Sequence, residues 1–429
     1  MADLTLAEIK EAFEYLKNKG SYGKLRDEQK EDETYYEQTF KAFEDNTYIS
    51  HEAKMPWARD LVDAPADSLA MDSIKVHMAP RLNTRAEETQ KATKSANKNE
   101  AWCQAVLDSC ARKQPYYLRD TAKQIPLRGE SWVKVVCDWN YKTDPANYQG
   151  NPFGLVVPDS MAVIGTLDLD EFSRPSMVFE EKMMTAGHYK RLLAGGNKKS
   201  YKPKTKANDW ENIHYVEWWT SKQGGVLIGD VGSAISDWNA LPIGDEIIQP
   251  NWNKVVPYIR VFSGLGIWPY DGDLAKLVVS FIRPLRDAIK IHARGASRMD
   301  TIANLFTAPM VEWITDGQTP LTDADKKMGP GKVIESIRNQ KEFKVWNPPP
   351  TPPAIREDMA MASDFIQMHL PDILRGVGSS GETAVGQSQR INRAMTRWEP
   401  LRIALKQQVA NGVSTMLQIV EAIEIPVKV

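Results

Sequence analysis

Apolar residues recur at steps of three and four along several long stretches of this 429-residue chain, and that spacing predicts amphipathic helices. The longest begins near Gln387 and runs to about Ile423. It carries Ile391, Met395, Trp398, Leu401, Leu405, Val409, Val413, Leu417 and Val420 on one face. Pro400 lacks the amide hydrogen that a helix interior uses, so it kinks or splits this element. A second stretch runs from Leu274 to Phe306, with Leu274, Leu277, Val278, Phe281, Leu285, Ile289 and Ile302 apolar. Unbroken, it would span about 50 Å at a rise of about 1.5 Å per residue, and Pro284 bends or splits it. Ala354 to Leu374 gives a third, with Ile355, Met359, Phe365, Ile366 and Leu370 apolar. A fourth runs from Thr84 to Cys110 or Gln114. Its alanines favour helix, and its polar first half implies exposure or packing against a neighbouring copy.

Residues 5–19 form a short amphipathic pattern with Leu6, Ile9, Phe13 and Leu16 apolar, Lys17 and Lys19 in the last turn, and Gly20 as a stop. From Arg26 to Asp45 the charge is dense and mainly acidic, with Tyr35, Tyr36, Phe40 and Phe43 interleaved. This reads as a solvated surface helix, with a partner-binding arm as the second reading. Pro56, Pro65 and Pro80 mark residues 56–80 as irregular around a short strand at Ser73–His77. Residues 128–139 read as a turn at Gly129 followed by a strand. Further strands are expected at Leu155–Pro158, Met161–Ile164, Met177–Met184, His214–Thr220, Val226–Gly229 and Val255–Phe262, with a short helix between Thr185 and Leu193. Gly329–Ile334 reads as a turn and a strand. Asn347–Pro353 is a stiff polyproline connector. Residues 376–386 hold four glycines in eleven positions and predict a loop. Helices and strands in separate blocks give an α+β fold class.

Charge nearly balances, with 54 basic against 56 acidic side chains, which argues against a protein that coats nucleic acid over its whole surface. It leaves room for local patches. Arg283, Arg286, Lys290, Arg294 and Arg298 lie at steps of three and four on the Leu274–Phe306 helix, and between Lys276 and Arg298 six basic residues stand against one acid, Asp287. Such a stripe either pairs with acids on an adjacent helix or subunit, or meets nucleic-acid phosphates. Lys198, Lys199, Lys202, Lys204 and Lys206 form a basic loop, read as solvated or as a phosphate contact. Arg390, Arg393 and Arg397 form a third group, off the apolar face of the last helix.

The three cysteines, Cys103, Cys110 and Cys137, are too few and too scattered for a disulfide frame or a structural zinc. No signal peptide is visible, and no apolar run approaches the ~18–20 residues of a membrane helix. Thirteen tryptophans suit subunit contacts as well as a ligand groove. The histidines show no metal-ligand spacing, and no nucleophile elbow occurs. Gly331-Lys332 lacks the spacing and ending of a phosphate-binding loop. Asp168/Asp170, Asp271/Asp273 and Asp323/Asp325 read as turn acids rather than metal ligands, and Glu217-Trp218-Trp219 as a packed strand with one charged edge. These readings argue against an enzyme and call for no cofactor and no metal.

The run Ser379-Ser380-Gly381-Glu382-Thr383-Ala384-Val385-Gly386-Gln387-Ser388-Gln389-Arg390-Ile391-Asn392-Arg393-Ala394, followed by Trp398-Glu399-Pro400-Leu401, resembles the C-terminal part of tailed-bacteriophage portal proteins. The order of elements over residues 70–425 resembles that family too. The resemblance implies an N-terminal helical arm (1–66), a wing (67–270), a first stem helix (271–307), a clip (308–347), a connector and second stem helix (348–375), a tunnel loop (376–386) and a final wing or short crown helix (387–429). Gly376, Gly378, Ser379, Ser380, Gly381, Glu382 and Thr383 would line the channel. It further implies a cyclic homo-oligomer, typically of twelve copies, at one capsid vertex of a virion assembled in the host cytoplasm. Double-stranded DNA would pass through it, and a terminase motor, the major capsid protein and a head–tail adaptor would be its partners. No membrane is involved. A head–tail adaptor or another ring-forming virion protein is the alternative reading, and a DNA-processing enzyme the third.

Overall fold

The computed structural model of the chain describes residues 3–19, 22–44, 49, 51–70, 75–79, 86–138, 150–167, 174–188, 209–241, 248–269, 271–315, 333–337, 342–346, 350–370 and 396–423. They fall into two units. One comprises Met1–Lys30, Pro65–Ser280 and Trp398–Val429; the other comprises Glu31–Ala64 and Phe281–Arg397. Both mix helices with strands, an α+β architecture.

The first unit begins with α1 (Leu6–Glu14), which starts at a capping box. Thr5 Oγ1 accepts the Glu8 N–H, and Glu8 Oε2 accepts the Thr5 N–H at 2.7 Å. Its buried Phe13 meets Phe179 at 5.0 Å and Trp238 at 5.7 Å between ring centres. Helix α2 (Tyr22–Tyr36) corrects the expected surface helix over Arg26–Asp45: it ends earlier, and Tyr22, Leu25, Gln29 and Asp32 are buried. Charge density suggested solvent, but Arg26 and Asp32 are held in ion pairs instead. Helix α3 (Trp57–Ala70) corrects the irregular reading of 56–80. Pro65 sits inside it, and the buried positions Ala58, Leu61, Val62, Ala66 and Leu69 keep helical spacing around that proline. Of the strand expected at Ser73–His77, residues 75–77 are described, and 75–79 pair with no strand among the described residues.

Helix α4 (Ala86–Lys113) matches the expected fourth pattern, and α5 (Tyr117–Arg128) follows it where no element was expected. Helix α5 stops at Gly129, at φ +78°, where a Cβ would stand 2.7 Å from the Val279 carbonyl carbon. Only glycine fits there. Strand β1 (Glu130–Cys137) then pairs antiparallel with both β2 (Phe153–Val156) and β9 (Tyr258–Phe262). A larger antiparallel sheet has the order β3 (Val163–Gly165), β4 (Met177–Thr185), β5 (Asn212–Thr220), β6 (Gln223–Asp230), β7 (Asn239–Leu241), with β8 (Ile248–Pro250) also on β6. Strands β4, β5, β6 and β9 fall within or around the expected positions, and β2 and β3 overlap theirs by two residues, with a 3-10 turn at Ser160–Ala162; β7 and β8, three residues each, were not expected. Of the short helix expected after Thr185, only 186–188 lies among the described residues, and it is helical.

Helix α6 (Leu274–Leu277) is short. Helices α7 (Arg286–Thr307) and α8 (Pro353–His369) belong to the second unit, and α9 (Glu399–Ile423) returns to the first. Pro400 sits in the first turn of α9, where no amide hydrogen is missed. The buried face of α9 carries Val409, Val413, Met416 and Ile419. They pack with Cys103, Val106, Leu107 and Cys110 of α4 and with Val133, Val135, Leu155 and Ile259 of the three-stranded sheet. Each large aliphatic side chain so buried contributes about 1.5–3 kcal/mol. Burial pushes the Cys103 and Cys110 thiols up, so both behave as small apolar groups.

The helical stretch from Leu274 to Phe306 is split around Pro284, as that proline predicts, and the break is wide. Helix α6 ends at Leu277, a 3-10 turn holds Arg283–Leu285, and α7 has 22 residues, about 33 Å. Pro284 has no N–H to continue a helix, and the Val279 carbonyl accepts a bond from Ser263 Oγ (2.5 Å). In the second unit α7 and α8 touch closely: a Cβ on Gly295 would stand 2.2 Å from Met359 Cγ. Between them lies a three-stranded sheet, β11 (Val333–Ile337), β10 (Met310–Thr315), β12 (Glu342–Trp346), in which β10 and β11 are parallel. One strand was expected there, beginning near Val333.

Between the two sheets of the first unit lies a charged layer. Glu180 and Glu217 are directly opposite on β4 and β5. Lys134 Nζ of β1 reaches both, at 3.2 and 2.6 Å, and the Tyr258 hydroxyl donates to Glu180 at 2.5 Å. Burial alone would raise the Glu180 carboxyl; Lys134, Lys182 and Tyr258 outweigh it and hold the group below its ordinary 4.5. A carboxyl depressed on folding stabilises the fold above its unfolded value, and that contribution is lost as pH falls through the folded value. The melting temperature of the wild type therefore exceeds that of Glu180→Gln most at neutral pH, and the gap narrows below pH 4.5. Thermal melts of both proteins from pH 7 to 3 check this; a gap independent of pH would contradict it.

Candidate functional site

The steps of three and four in the basic stripe set Arg286, Lys290, Arg294 and Arg298 along one side of α7, with Arg283 in the turn before it. Residues 31–43 of the same unit meet this side. Arg286 presents its planar fork to Asp32 Oδ1, with Nε at 2.9 Å and Nη2 at 2.8 Å, and its Nη1 reaches Glu31 Oε2 at 2.7 Å. Arg283 Nη2 lies 3.8 Å from the other Asp32 oxygen. Asp32 is fully buried and Arg286 is 11% exposed. Charges so far from water persist only as a pair, and the guanidinium fork suits a carboxylate better than an ammonium would. Further along, Arg294 Nε donates to the Ala42 carbonyl at 2.7 Å, and the Arg298 guanidinium lies 6.0 Å from the Phe43 ring centre. Lys290 is half-buried and Arg298 is exposed.

The stripe thus divides. Arg283, Arg286 and Arg294 bind the segment that precedes them by some 250 residues, while Lys290 and Arg298 keep part of their surface for other charges. The pairing with acids of an adjacent helix was one of the two expected readings of the stripe; that Glu31 and Asp32 are those acids was not. His292, on the same helix, packs edge-on against Trp57 at 5.6 Å, and burial pushes its imidazole down, toward the neutral form.

The remaining candidates are not brought together. Gly376, Gly378, Ser379, Ser380, Gly381, Glu382 and Thr383 lie outside the described residues, as do Lys198, Lys199, Lys202, Lys204, Lys206, Arg390 and Arg393. Arg397 belongs to the 3-10 turn before α9, and its side chain lies outside the described residues. Of the Asp-x-Asp pairs, Asp273 caps α6 by accepting the Ala275 N–H at 3.0 Å, and Asp271 pairs with Lys276. The other two pairs lie outside the described residues. Trp218 is buried in the strand as expected, and Glu217 is held by Lys134. Among the described residues no three His, Cys, Asp or Glu side chains are grouped to hold a metal ion, and no helix is long and apolar enough to cross a membrane.

No protein-family model matches the chain, and no curated protein is similar to it. Among solved structures it is similar to a chain from the neck of a native gene transfer agent particle computed with C12 symmetry. The identity is 13% and the TM-score 0.39, over 86% of this chain and 79% of that one. It is similar to the same degree, 13% and 0.39, to a chain from the virion of a native gene transfer agent particle, over 87% and 79%. A superposition this shallow carries no functional argument.

Removing Asp32 would strand two guanidinium groups in a site with little water. Asp32→Ala is expected to destabilise the protein by about 3 kcal/mol, whereas Arg298→Ala, at an exposed position, costs under about 1 kcal/mol. Urea denaturation followed by tryptophan fluorescence compares the two; equal effects would show that the buried pair is not what fixes residues 31–43 to α7.

Proposed function

We propose that this chain is the subunit of a portal-type ring, a channel at one vertex of a virus head through which double-stranded DNA is packaged and ejected. The observation that carries the proposal is the layout of the second unit. The chain runs out along α7, forms the small sheet β10–β12, and comes back along α8, with α7 and α8 in close contact at Gly295 and Met359. The stem, clip and stem implied by the resemblance have that order, and the glycine-rich stretch 376–386 and α9 follow in the order of tunnel loop and final helix.

Two further features agree with it. Met361, Phe365 and Met368 lie at steps of four and three on α8 and are 63%, 44% and 57% exposed, an apolar stripe suited to a neighbouring copy in a closed ring. Two of the five stem cations, Arg283 and Arg286, are neutralised within the chain, and a conduit must hold DNA weakly, since every phosphate contact is an affinity that translocation has to break. Lys290 and Arg298 are the positions on the stripe left for passing phosphates or for a neighbour's acids. In this reading twelve copies form the ring, and the terminase motor docks at the β10–β12 end and is replaced by a head–tail adaptor. The major capsid protein surrounds the wing.

The glycine-rich segment gives the direct test. Deleting Gly378–Val385 leaves ring assembly intact but sharply lowers the amount of DNA packaged per particle, measured by nuclease protection. Normal packaging by the deletion variant would count against a tunnel-loop role.

A further inference from the structure

The segment Lys75–Ala79 is held in an unusual way. Its Val76 N–H donates to Gln104 Oε1 at 3.1 Å and its Met78 N–H to Glu100 Oε2 at 3.2 Å. Two residues of extended chain advance about 6.6 Å and four residues of helix about 6 Å, so alternate amides meet side chains one turn apart on α4. The backbone is therefore extended. Val76 and Met78 turn inward against the core shared by α4 and α9, while Lys75, His77 and Ala79 are exposed. An extended chain sends the amides of 75, 77 and 79 to the side away from α4. Among the described residues none of these groups has a partner.

That free edge borders a groove of about 780 Å³ between the segment and α9. Leu405, Val409 and Val413 form its apolar floor, and Lys75, Lys406 and Arg402 its rim, the last also bonded to Glu399. Among the described residues no carboxylate lines it. We propose that this groove takes an extended acidic peptide segment of a partner protein, which adds as a strand along Lys75–Ala79. Alternation would set one face of the peptide on the apolar floor. The other face would place a carboxylate opposite Lys75, a cross-strand charge pairing, with Lys406 and Arg402 on the far side; His77 already lies 3.5 Å from the Glu100 carboxylate. The proposal stands apart from the channel reading, since it needs neither DNA nor a ring.

The test uses the full chain and a fluorescein-labelled synthetic peptide of alternating leucine and aspartate, followed by fluorescence anisotropy. Saturable binding is expected, weakened about tenfold by the double charge reversal Lys75→Glu and Lys406→Glu. N-methylating the leucine amides and N-methylating the aspartate amides should differ sharply, because only one set faces the strand edge. Equal tolerance of both methylations would overturn strand addition, and equal binding of a leucine–lysine peptide would overturn the charge assignment. Absence of binding by the leucine–aspartate peptide would overturn the site. If the charge reversal breaks the chain's self-association but leaves peptide binding unchanged, the face belongs to a neighbouring copy and the proposal fails.

Discussion

The buried pair of Glu130 and Arg260 is the contact on which the sheet-rich unit depends. Arg260 Nε donates to Glu130 Oε2 at 2.7 Å, and both side chains are out of reach of water. Glu130 directly follows Gly129, so the pair lies where α5 ends and β1 begins. Around it, Arg26 Nη1 lies 3.4 Å and Gln29 Nε2 3.3 Å from the same carboxylate, and Gln29 also donates to the Arg128 carbonyl at 2.8 Å. Trp132, Phe262 and Tyr22 box the guanidinium at 5.0, 4.7 and 5.6 Å. Burial pushes the Tyr22 phenol up, and its hydroxyl donates to the Gly165 carbonyl at 3.0 Å. One ion pair thus fixes α2, α5, β1, β3 and β9 in register. Breaking such a pair costs about 3–5 kcal/mol, whereas its net contribution against an apolar replacement is small; it specifies the arrangement more than it stabilises it.

The second unit follows the same rule with different partners. Asp32 is to Arg286 what Glu130 is to Arg260: a buried carboxylate that meets a guanidinium some 130 to 250 residues later. In both units the early acid-rich helix α2 supplies a partner, Arg26 or Gln29 in one and Glu31 or Asp32 in the other. Of its charged side chains Asp32 is buried and Arg26 half-buried, while Lys24, Asp27, Lys30 and Glu31 stay exposed. The basic stripe that stands out in the sequence is thus partly neutralised in the fold, where Arg283 and Arg286 meet the acids of α2 and Arg294 meets a backbone carbonyl.

Local chemistry explains which parts of this fold were legible. Strands β4, β5 and β6 could be read because their apolar and β-branched residues are dense and bounded by polar turns; α4 and α9 could be read because one face of each is apolar over many turns. Helix α3 was hidden by Pro65, which reads as a break although Leu61, Val62, Ala66 and Leu69 keep the helical period across it. The end of helix at Leu277 was also hidden, because part of its cause is tertiary: Ser263 binds the Val279 carbonyl, and Gly129 presses against the same backbone. At the candidate site the stripe itself was plain in the spacing, but its occupancy by residues 31–43 was not, since no local pattern tells which distant acid a given arginine meets.

The claim that joins these observations is that the chain closes into a ring. Native mass spectrometry of the purified protein, with electron-microscope class averages of the same sample, tests it most directly. The account predicts a closed ring with a central channel and a mass of about 581 kDa, twelve times the 48.4 kDa chain. A stable monomer or dimer at every concentration, with no ring in the images, would contradict it.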